Sequence, residues 1–168
     1  VTRSEVALVA FRGESAEQIL PPTRSLTRAR RALSELPGGG GTPLALGLDA
    51  ARECAEAVAS KGRTPSLVVL TDGRANIGRD GEPGRKQAGE DAEHSAKAVA
   101  RAGIDALVID ISARAGPESA ALAKAMNARF LRRSTRSLDR NWRTICASAN
   151  AKRTSTRDGL HDRHRHAG

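Results

Sequence analysis

The sequence predicts an α/β fold in which a mostly parallel sheet lies between layers of helices. The first observation is a set of continuous apolar runs, of which Val6–Phe11 and Leu67–Leu70 are the clearest. Such runs are typical of parallel strands that are buried on both faces. The second observation is that segments with helical apolar spacing separate the runs. This alternation favours parallel strands joined by right-handed crossovers.

Each element is predicted from its apolar spacing and from the residues that end it. Residues 16–20 are expected to form an edge strand antiparallel to the first strand, ended by Pro21 and Pro22. Thr23 or Ser25 should cap the first helix. The apolar side of that helix would consist of Leu26, Ala29, either Ala32 or Leu33, and Leu36. Further strands are predicted at residues 66–70, 104–111 and 129–131, and further helices begin near residues 42, 90, 117 and 137.

The basic charge of the chain is concentrated near its C-terminus. The 168 residues carry a net charge of +9, and residues 129–168 hold eleven Lys or Arg against three Asp or Glu, a net of +8. Residues 1–128 hold seventeen basic and sixteen acidic side chains, so the folded body is close to neutral. We expect residues 150–168 to be a basic, disordered tail, and any inference about anionic partners applies to that part of the chain.

Two segments could carry a site where the strands end. Gly38–Gly41 could cradle a phosphate, but they follow a helix and no Lys-Ser/Thr pair follows them, so the P-loop context fails. Thr42 and Asp72 could instead supply oxygen ligands to a hard divalent cation such as Mg²⁺. Thr42 is expected to cap a helix, and Asp72 ends a buried strand at the edge of the sheet where open α/β folds bind ligands. The alternative is that Asp72 only forms a turn with Gly73.

Two motifs make the chain similar to a known family. The segments are Leu36-Pro-Gly-Gly-Gly-Gly-Thr-Pro-Leu-Ala-Leu-Gly-Leu-Asp-Ala-Ala51 and Leu67-Val-Val-Leu-Thr-Asp-Gly-Arg-Ala-Asn-Ile-Gly-Arg-Asp-Gly81. Together they closely resemble the von Willebrand factor A-type (integrin I) domain at the C-terminus of the magnesium-chelatase D subunit. The resemblance covers roughly residues 5–131. It implies a three-layer sandwich whose mostly parallel sheet has one antiparallel edge strand, with the A-type domain at residues 1–149.

The resemblance also implies a metal-ion-dependent adhesion site. It assigns the threonine of that site to Thr42 and the aspartate to Asp72, and its third part is an Asp-x-Ser-x-Ser loop after the first, central strand. We expect that loop and strand upstream of Val1; Asp110-Ile-Ser112-Ala-Arg114 has Arg in place of the second Ser and is interpreted as an ordinary strand end. We therefore expect this segment alone to fold poorly and to bind Mg²⁺ weakly or not at all.

The function implied by the resemblance is partner docking in the ATP-dependent complex that inserts Mg²⁺ into protoporphyrin IX for (bacterio)chlorophyll synthesis. The implied partners are the motor ATPase subunit and the porphyrin-binding subunit. ATP would bind elsewhere in the parent subunit, and this segment would be a non-catalytic part of a nitrogen–metal ligase. The implied location is the cytoplasm, or the plastid stroma in a phototrophic eukaryote.

Two alternatives remain open. One is the A-type domain of a cobaltochelatase-like or another ATPase–adaptor subunit. The other is a basic nucleic-acid-binding protein, which predicts salt-sensitive binding that survives removal of residues 1–128. The aromatic content of 2% leaves little for base stacking and argues against nucleic acid. We expect no membrane insertion, because no apolar run is long enough to span a bilayer.

Overall fold

The computed structural model describes residues 4–113 and 116–132. In chain order, the elements in these ranges are β1 (Val6–Arg12), β2 (Ser15–Thr23), α1 (Leu26–Ser34), α2 (Leu44–Ala59), β3 (Ser66–Thr71), α3 (Arg85–Arg101), β4 (Asp105–Asp110), α4 (Glu118–Ala125) and β5 (Arg129–Arg132). The predicted helix near residue 137, the domain boundary at residue 149 and the predicted tail at 150–168 lie outside the described residues. None of the helices in these ranges has the length and hydropathy that crossing a bilayer requires.

The five strands of the described ranges form two sheets. β3, β4 and β5 are parallel and hydrogen-bonded in that order, with Val69 opposite Val108 and Val108 opposite Phe130. β1 and β2 form a separate antiparallel hairpin. The α/β class, the parallel sheet and the antiparallel outer strand are therefore confirmed. Within the described residues no strand lies hydrogen-bonded between β1 and β3, which is where the resemblance places the additional central strand.

The hairpin differs from its prediction at the two prolines. β2 does not end before Pro21 but continues through Pro22 to Thr23. The register shifts at this point, because Val6 is opposite Thr23 whereas Leu8 is opposite Leu20. The extra residue on β2 forms a bulge at Pro21 and Pro22. Prolines have no backbone N–H to donate, and a bulge is a place where a strand tolerates them.

The core lies between the three-stranded sheet and helices α2, α3 and α4. Its fully buried members include Leu44, Val99 and Val108, each at most 1% exposed. Alanines at helical spacing allow α3 to pack closely: Ala88, Ala92 and Ala96 are all buried. α3 begins at Arg85, earlier than the predicted start near residue 90.

β3 is buried on one face only, which contradicts the prediction of burial on both faces. Val69 is 5% exposed and faces the helices, whereas Val68 and Leu70 on the other face are 47% and 57% exposed. The apolar run was correctly assigned to a parallel strand, but burial on a second face needs a second packed layer. No described element supplies that layer over Val68 and Leu70.

α1 has the predicted cap but not the predicted buried side. The side chain of Ser25 accepts a hydrogen bond from the Arg28 N–H at 3.3 Å, which satisfies one of the free donors of the first turn. Ala29 is the buried residue of the helix, whereas Leu26 and Leu33 are 76% and 53% exposed. The apolar spacing therefore identified the helix, but its leucines are directed mainly to solvent.

Candidate metal site

Three loops meet beyond the carboxyl ends of the strands. The Gly13 N–H, in the β1–β2 turn, donates to the Gly41 carbonyl at 3.0 Å. The Thr42 N–H donates to the Asn76 side-chain oxygen at 2.6 Å, and the Asn76 N–H donates back to the Thr42 carbonyl at 3.3 Å. Asn76 is in the loop after β3, four residues beyond Asp72. The two loops that carry Thr42 and Asp72 are thus joined directly.

Gly41 allows this close approach because it has no side chain. A Cβ added there would overlap the Ile77 side chain and would lie 2.5 Å from the Gly13 carbonyl oxygen. Gly38, in the same run of glycines, has no atom within 4 Å of its added Cβ. The four glycines are therefore not equivalent, and the last of them brings the loops together.

Thr42 does not cap α2, contrary to the prediction. α2 begins at Leu44, its N-cap is Pro43, and no side chain makes a capping hydrogen bond. The proline at the cap position moves Thr42 one residue outside the helix. Within the described residues the Thr42 hydroxyl has no hydrogen-bond partner, and the residue is half-buried. Its oxygen is therefore available to a ligand at the edge of the sheet.

Asp72 is half-buried and follows directly after β3. One carboxylate oxygen accepts the Arg74 N–H at 3.0 Å, which is the turn interaction expected of an Asp-Gly pair. Gly73 has a φ of 76° and packs against Ser119, where a Cβ would overlap the backbone N of α4. The second carboxylate oxygen of Asp72 has no hydrogen-bond partner in the described residues. Asp72 can therefore form the turn with one oxygen and bind a metal with the other.

The loop after β3 is anchored by Arg79. Its guanidinium contacts the Asp49 carboxylate of α2 at 3.0 Å and donates to the fully buried hydroxyl of Ser95 on α3 at 2.6 Å. Its backbone N–H donates to Asp91 at 3.0 Å. One arginine thus connects the loop to two helices and fixes the segment that carries Asp72 and Asn76.

Asp110 is a structural carboxylate rather than a third ligand at this edge. It is 2% exposed, and one of its oxygens accepts the Ser112 N–H at 2.9 Å. The nearby Ser112 hydroxyl is the largest influence that lowers the pKa of Asp110 despite its burial, and the Ser112 N–H, Ser119 and the charge of Arg132 act in the same direction. This geometry agrees with the interpretation of Asp110 as an ordinary strand end.

The oxygen atoms of Thr42 and Asp72 would form only part of a site for a hard cation. A hydroxyl and a carboxylate are oxygen ligands of the kind that Mg²⁺ prefers, but two protein ligands alone do not make a complete site. The described ranges contain no group of three His, Cys, Asp or Glu that could hold a metal. Sequence reasoning missed Asn76 and Arg79, although both lie in the second motif. The amide of Asn76, four residues after Asp72, was the available signal.

Comparisons with known proteins agree with this architecture. A family model described as von Willebrand factor type A domain matches residues 2–74. The chain is 50% identical over 129 residues to the magnesium-chelatase 60 kDa subunit of Cereibacter sphaeroides and 45% identical over 129 residues to that of Rhodobacter capsulatus. Each match covers 77% of this chain and 23% of the relative, so the chain spans about a quarter of these relatives.

A solved structure supports the fold alone. The crystal structure of the SpRpn10 VWA domain has a TM-score of 0.53 and 15% identity, and the match covers 77% of this chain and 64% of that chain. Together, the matched residues, the relatives and the fold agree with the resemblance carried by the two motifs. The chain therefore carries a von Willebrand factor type A domain of the type found in magnesium-chelatase D subunits.

Proposed function

We propose that this domain docks partner subunits in a magnesium chelatase and that a Mg²⁺ ion held by Thr42 and Asp72 takes part in the docking. The observation that carries the proposal is the pair of hydrogen bonds between Thr42 and Asn76, which joins the two loops that bear the proposed ligands. The identity to the magnesium-chelatase subunits supports the assignment to that complex rather than to a cobaltochelatase.

The metal would act in binding and not in a chemical step. Thr42 would supply a hydroxyl oxygen and Asp72 a carboxylate oxygen, and the third part of the site would come from an Asp-x-Ser-x-Ser loop outside the described residues. A carboxylate of the partner would complete the coordination, which Mg²⁺ accepts because it readily retains exchangeable oxygen ligands. Asn76 would position Thr42, and Arg79 would position the loop of Asp72.

The proposal extends to the parent protein. Its partners would be the motor ATPase subunit and the porphyrin-binding subunit, ATP would bind elsewhere in the parent subunit, and the assembled complex would insert Mg²⁺ into protoporphyrin IX. The complex would act in the cytoplasm, or in the plastid stroma of a phototrophic eukaryote. No group in this segment is proposed to perform the insertion.

Asp72→Ala in the full-length protein tests this function. We expect the variant to fold normally, since Asp72 lies outside the core, but to bind the motor subunit at least about tenfold more weakly, which corresponds to roughly 1.4 kcal/mol. Sedimentation of the mixed subunits measures assembly, and calorimetric titration measures Mg²⁺ binding. Glu90→Ala removes an exposed carboxylate from α3 and is the matched control, expected to leave both unchanged. Undiminished assembly and chelatase activity in Asp72→Ala would refute the docking role.

A further inference from the structure

The loop after β3 carries an exposed arginine between two residues of the candidate site. Arg74 lies midway between Asp72 and Asn76, and its backbone N–H donates to an Asp72 carboxylate oxygen at 3.0 Å. Ala75 and Ile77 are buried, whereas Arg74 and Asn76 are exposed. The loop is therefore anchored by alternate residues, and the Arg74 side chain extends from the exposed side that also carries Asn76.

Glu118 determines where the guanidinium of Arg74 lies. The Nε atom of Arg74 is 3.8 Å from the Oε1 atom of Glu118. Glu118 is the first residue of α4, and its backbone abuts Gly73, where an added Cβ would lie 2.6 Å from the Glu118 carbonyl carbon. Gly73 directly follows Asp72. The guanidinium is therefore held close to the residue that is proposed to bind Mg²⁺.

The contact with Glu118 leaves the guanidinium available to another group. A distance of 3.8 Å is too long for a hydrogen bond, and the Arg74 side chain makes none within the described residues. The side chains of Arg74 and Glu118 are 57% and 42% exposed, and such exposed pairs contribute little to stability. A better-placed carboxylate can therefore displace Glu118. Arginine suits this exchange because its planar guanidinium binds a carboxylate through two parallel hydrogen bonds.

The charges around Asp72 determine which kind of partner can approach. Asp72 and Glu118 are acidic and Arg74 is basic, so the three side chains have a net charge of −1. Asp110, at the end of β4, is buried and is offset by the charge of Arg132. Without a cation this edge repels a carboxylate, whereas a bound Mg²⁺ would make the net charge positive. Loss of the Arg74 charge would return the loaded site to neutral, so both cations are needed to attract an acidic group.

We propose that Arg74 selects the partner of this site by binding a carboxylate of an acidic partner segment. This inference rests on the proposed docking at Thr42 and Asp72, and it adds a second contact to the one made through the metal. One carboxylate of the partner would complete the Mg²⁺ coordination, and a neighbouring carboxylate displaces Glu118 from the guanidinium. The favoured partner has two acidic residues close together, because a lone carboxylate would leave Arg74 with only its long contact to Glu118.

Arg74→Gln in the full-length protein tests the proposal, with Asp72→Ala measured beside it. Gln keeps a polar side chain but removes the charge. We expect Arg74→Gln to weaken assembly with the motor subunit, measured by sedimentation, at least about tenfold. Calorimetric titration should show Mg²⁺ binding as tight as in the unsubstituted protein or tighter, because a positive charge near the cation is lost. Asp72→Ala should weaken both assembly and Mg²⁺ binding.

Two further variants locate the effect. Arg74→Lys keeps the charge but loses the planar guanidinium, so we expect an intermediate loss of assembly of about threefold. Arg101 is an exposed arginine in the last turn of α3, which ends just before β4 begins and therefore at the opposite edge of the sheet. Arg101→Gln is the matched control and should leave assembly within about twofold of the unsubstituted protein. Circular dichroism should be unchanged in both, because the replaced side chains are exposed.

Four results would overturn the proposal. Normal assembly of Arg74→Gln beside impaired assembly of Asp72→Ala would leave the metal-dependent docking intact and exclude Arg74 from it. Loss of Mg²⁺ binding in Arg74→Gln as large as in Asp72→Ala would show that Arg74 supports the metal site and not the partner. Equal losses of assembly in Arg74→Gln and Arg101→Gln would exclude a specific contact. Normal assembly and Mg²⁺ binding in Asp72→Ala would refute the proposed function, and this inference with it.

Discussion

The two sheets of the domain are built from similar sequences but are buried to different extents. β1 and β4 both contain apolar runs rich in Val, Leu and Ala. In β4, Ala106, Leu107 and Val108 are at most 4% exposed. In β1, every residue of the apolar run is only half-buried. Hydrophobic sequence alone therefore does not determine burial.

The number of neighbours explains the difference. β4 is paired on both sides, with β3 and β5, and α4 packs against it. Among the described residues β1 is paired on one side only, with β2, and it contacts the core through Phe11. A strand with one free edge and an incompletely covered face gains less from the same apolar side chains. The three-stranded half should therefore carry most of the stability, and paired substitutions can test this.

The largest expected difference is between Val108→Ala and Val9→Ala. The two changes delete the same atoms, one from a fully buried site and one from the half-buried strand β1. We expect Val108→Ala to lower the free energy of unfolding by about 3 kcal/mol, because transfer and cavity costs add, and Val9→Ala by about 1 kcal/mol. Urea denaturation measures both. Equal losses would mean that the two sheets are equally well packed.

The second largest loss of stability is expected where the loop of Gly41 contacts the β1–β2 turn and the loop after β3. Gly41→Ala places a Cβ against Ile77 and the Gly13 carbonyl, and we expect a loss of about 2 kcal/mol from overpacking. Gly38→Ala is the matched control and should change stability by less than about 0.5 kcal/mol, since nothing lies near its Cβ. Thermal unfolding compares them, and a Gly41→Ala variant as stable as Gly38→Ala would show that the loops are not in close contact.

The contact between β1 and α2 should have a smaller effect. An added Cβ at Gly47 would lie 2.5 Å from the Phe11 ring, whereas Gly89 in α3 has open space. Gly89→Ala should stabilise by about 0.5–1 kcal/mol through helix propensity. Gly47→Ala gains the same propensity but loses packing, for a net loss of about 1 kcal/mol. If both variants were stabilised, Phe11 could not be packed on α2 as described.

The smallest expected effect is a loss of stability in acid, caused by protonation of Asp110 in the three-stranded sheet. The pKa of Asp110 is lowered from its ordinary value of 3.8, so its ionised form stabilises the fold above that pH. This contribution is lost as the pH falls below 3.8 and through the pKa of the folded state. Asp110→Asn should therefore be less stable than the parent at neutral pH, and the gap should narrow near pH 3. Urea midpoints at both pH values measure it; a constant gap would contradict the assignment.

The sequence predicted what depends on local pattern. Alternating apolar runs and helical spacings were sufficient for the α/β class. The cap was predicted to be Thr23 or Ser25, because capping chemistry acts within one turn, and the structure has Ser25. Tertiary neighbours decided the rest. Leu26 remained exposed, and Val68 lacks a covering layer. At the site, Thr42 and Asp72 follow from the motif resemblance, whereas the role of Asn76 depends on a contact 34 positions away in sequence.

That long-range contact of Asn76 has a consequence for ligand binding. A flexible loop loses conformational entropy when a ligand orders it, and this loss weakens binding. Here the loops of Thr42 and Asp72 are already joined by two hydrogen bonds. Part of the ordering has therefore occurred during folding, and a cation or partner that reached both loops would meet a preorganised pair.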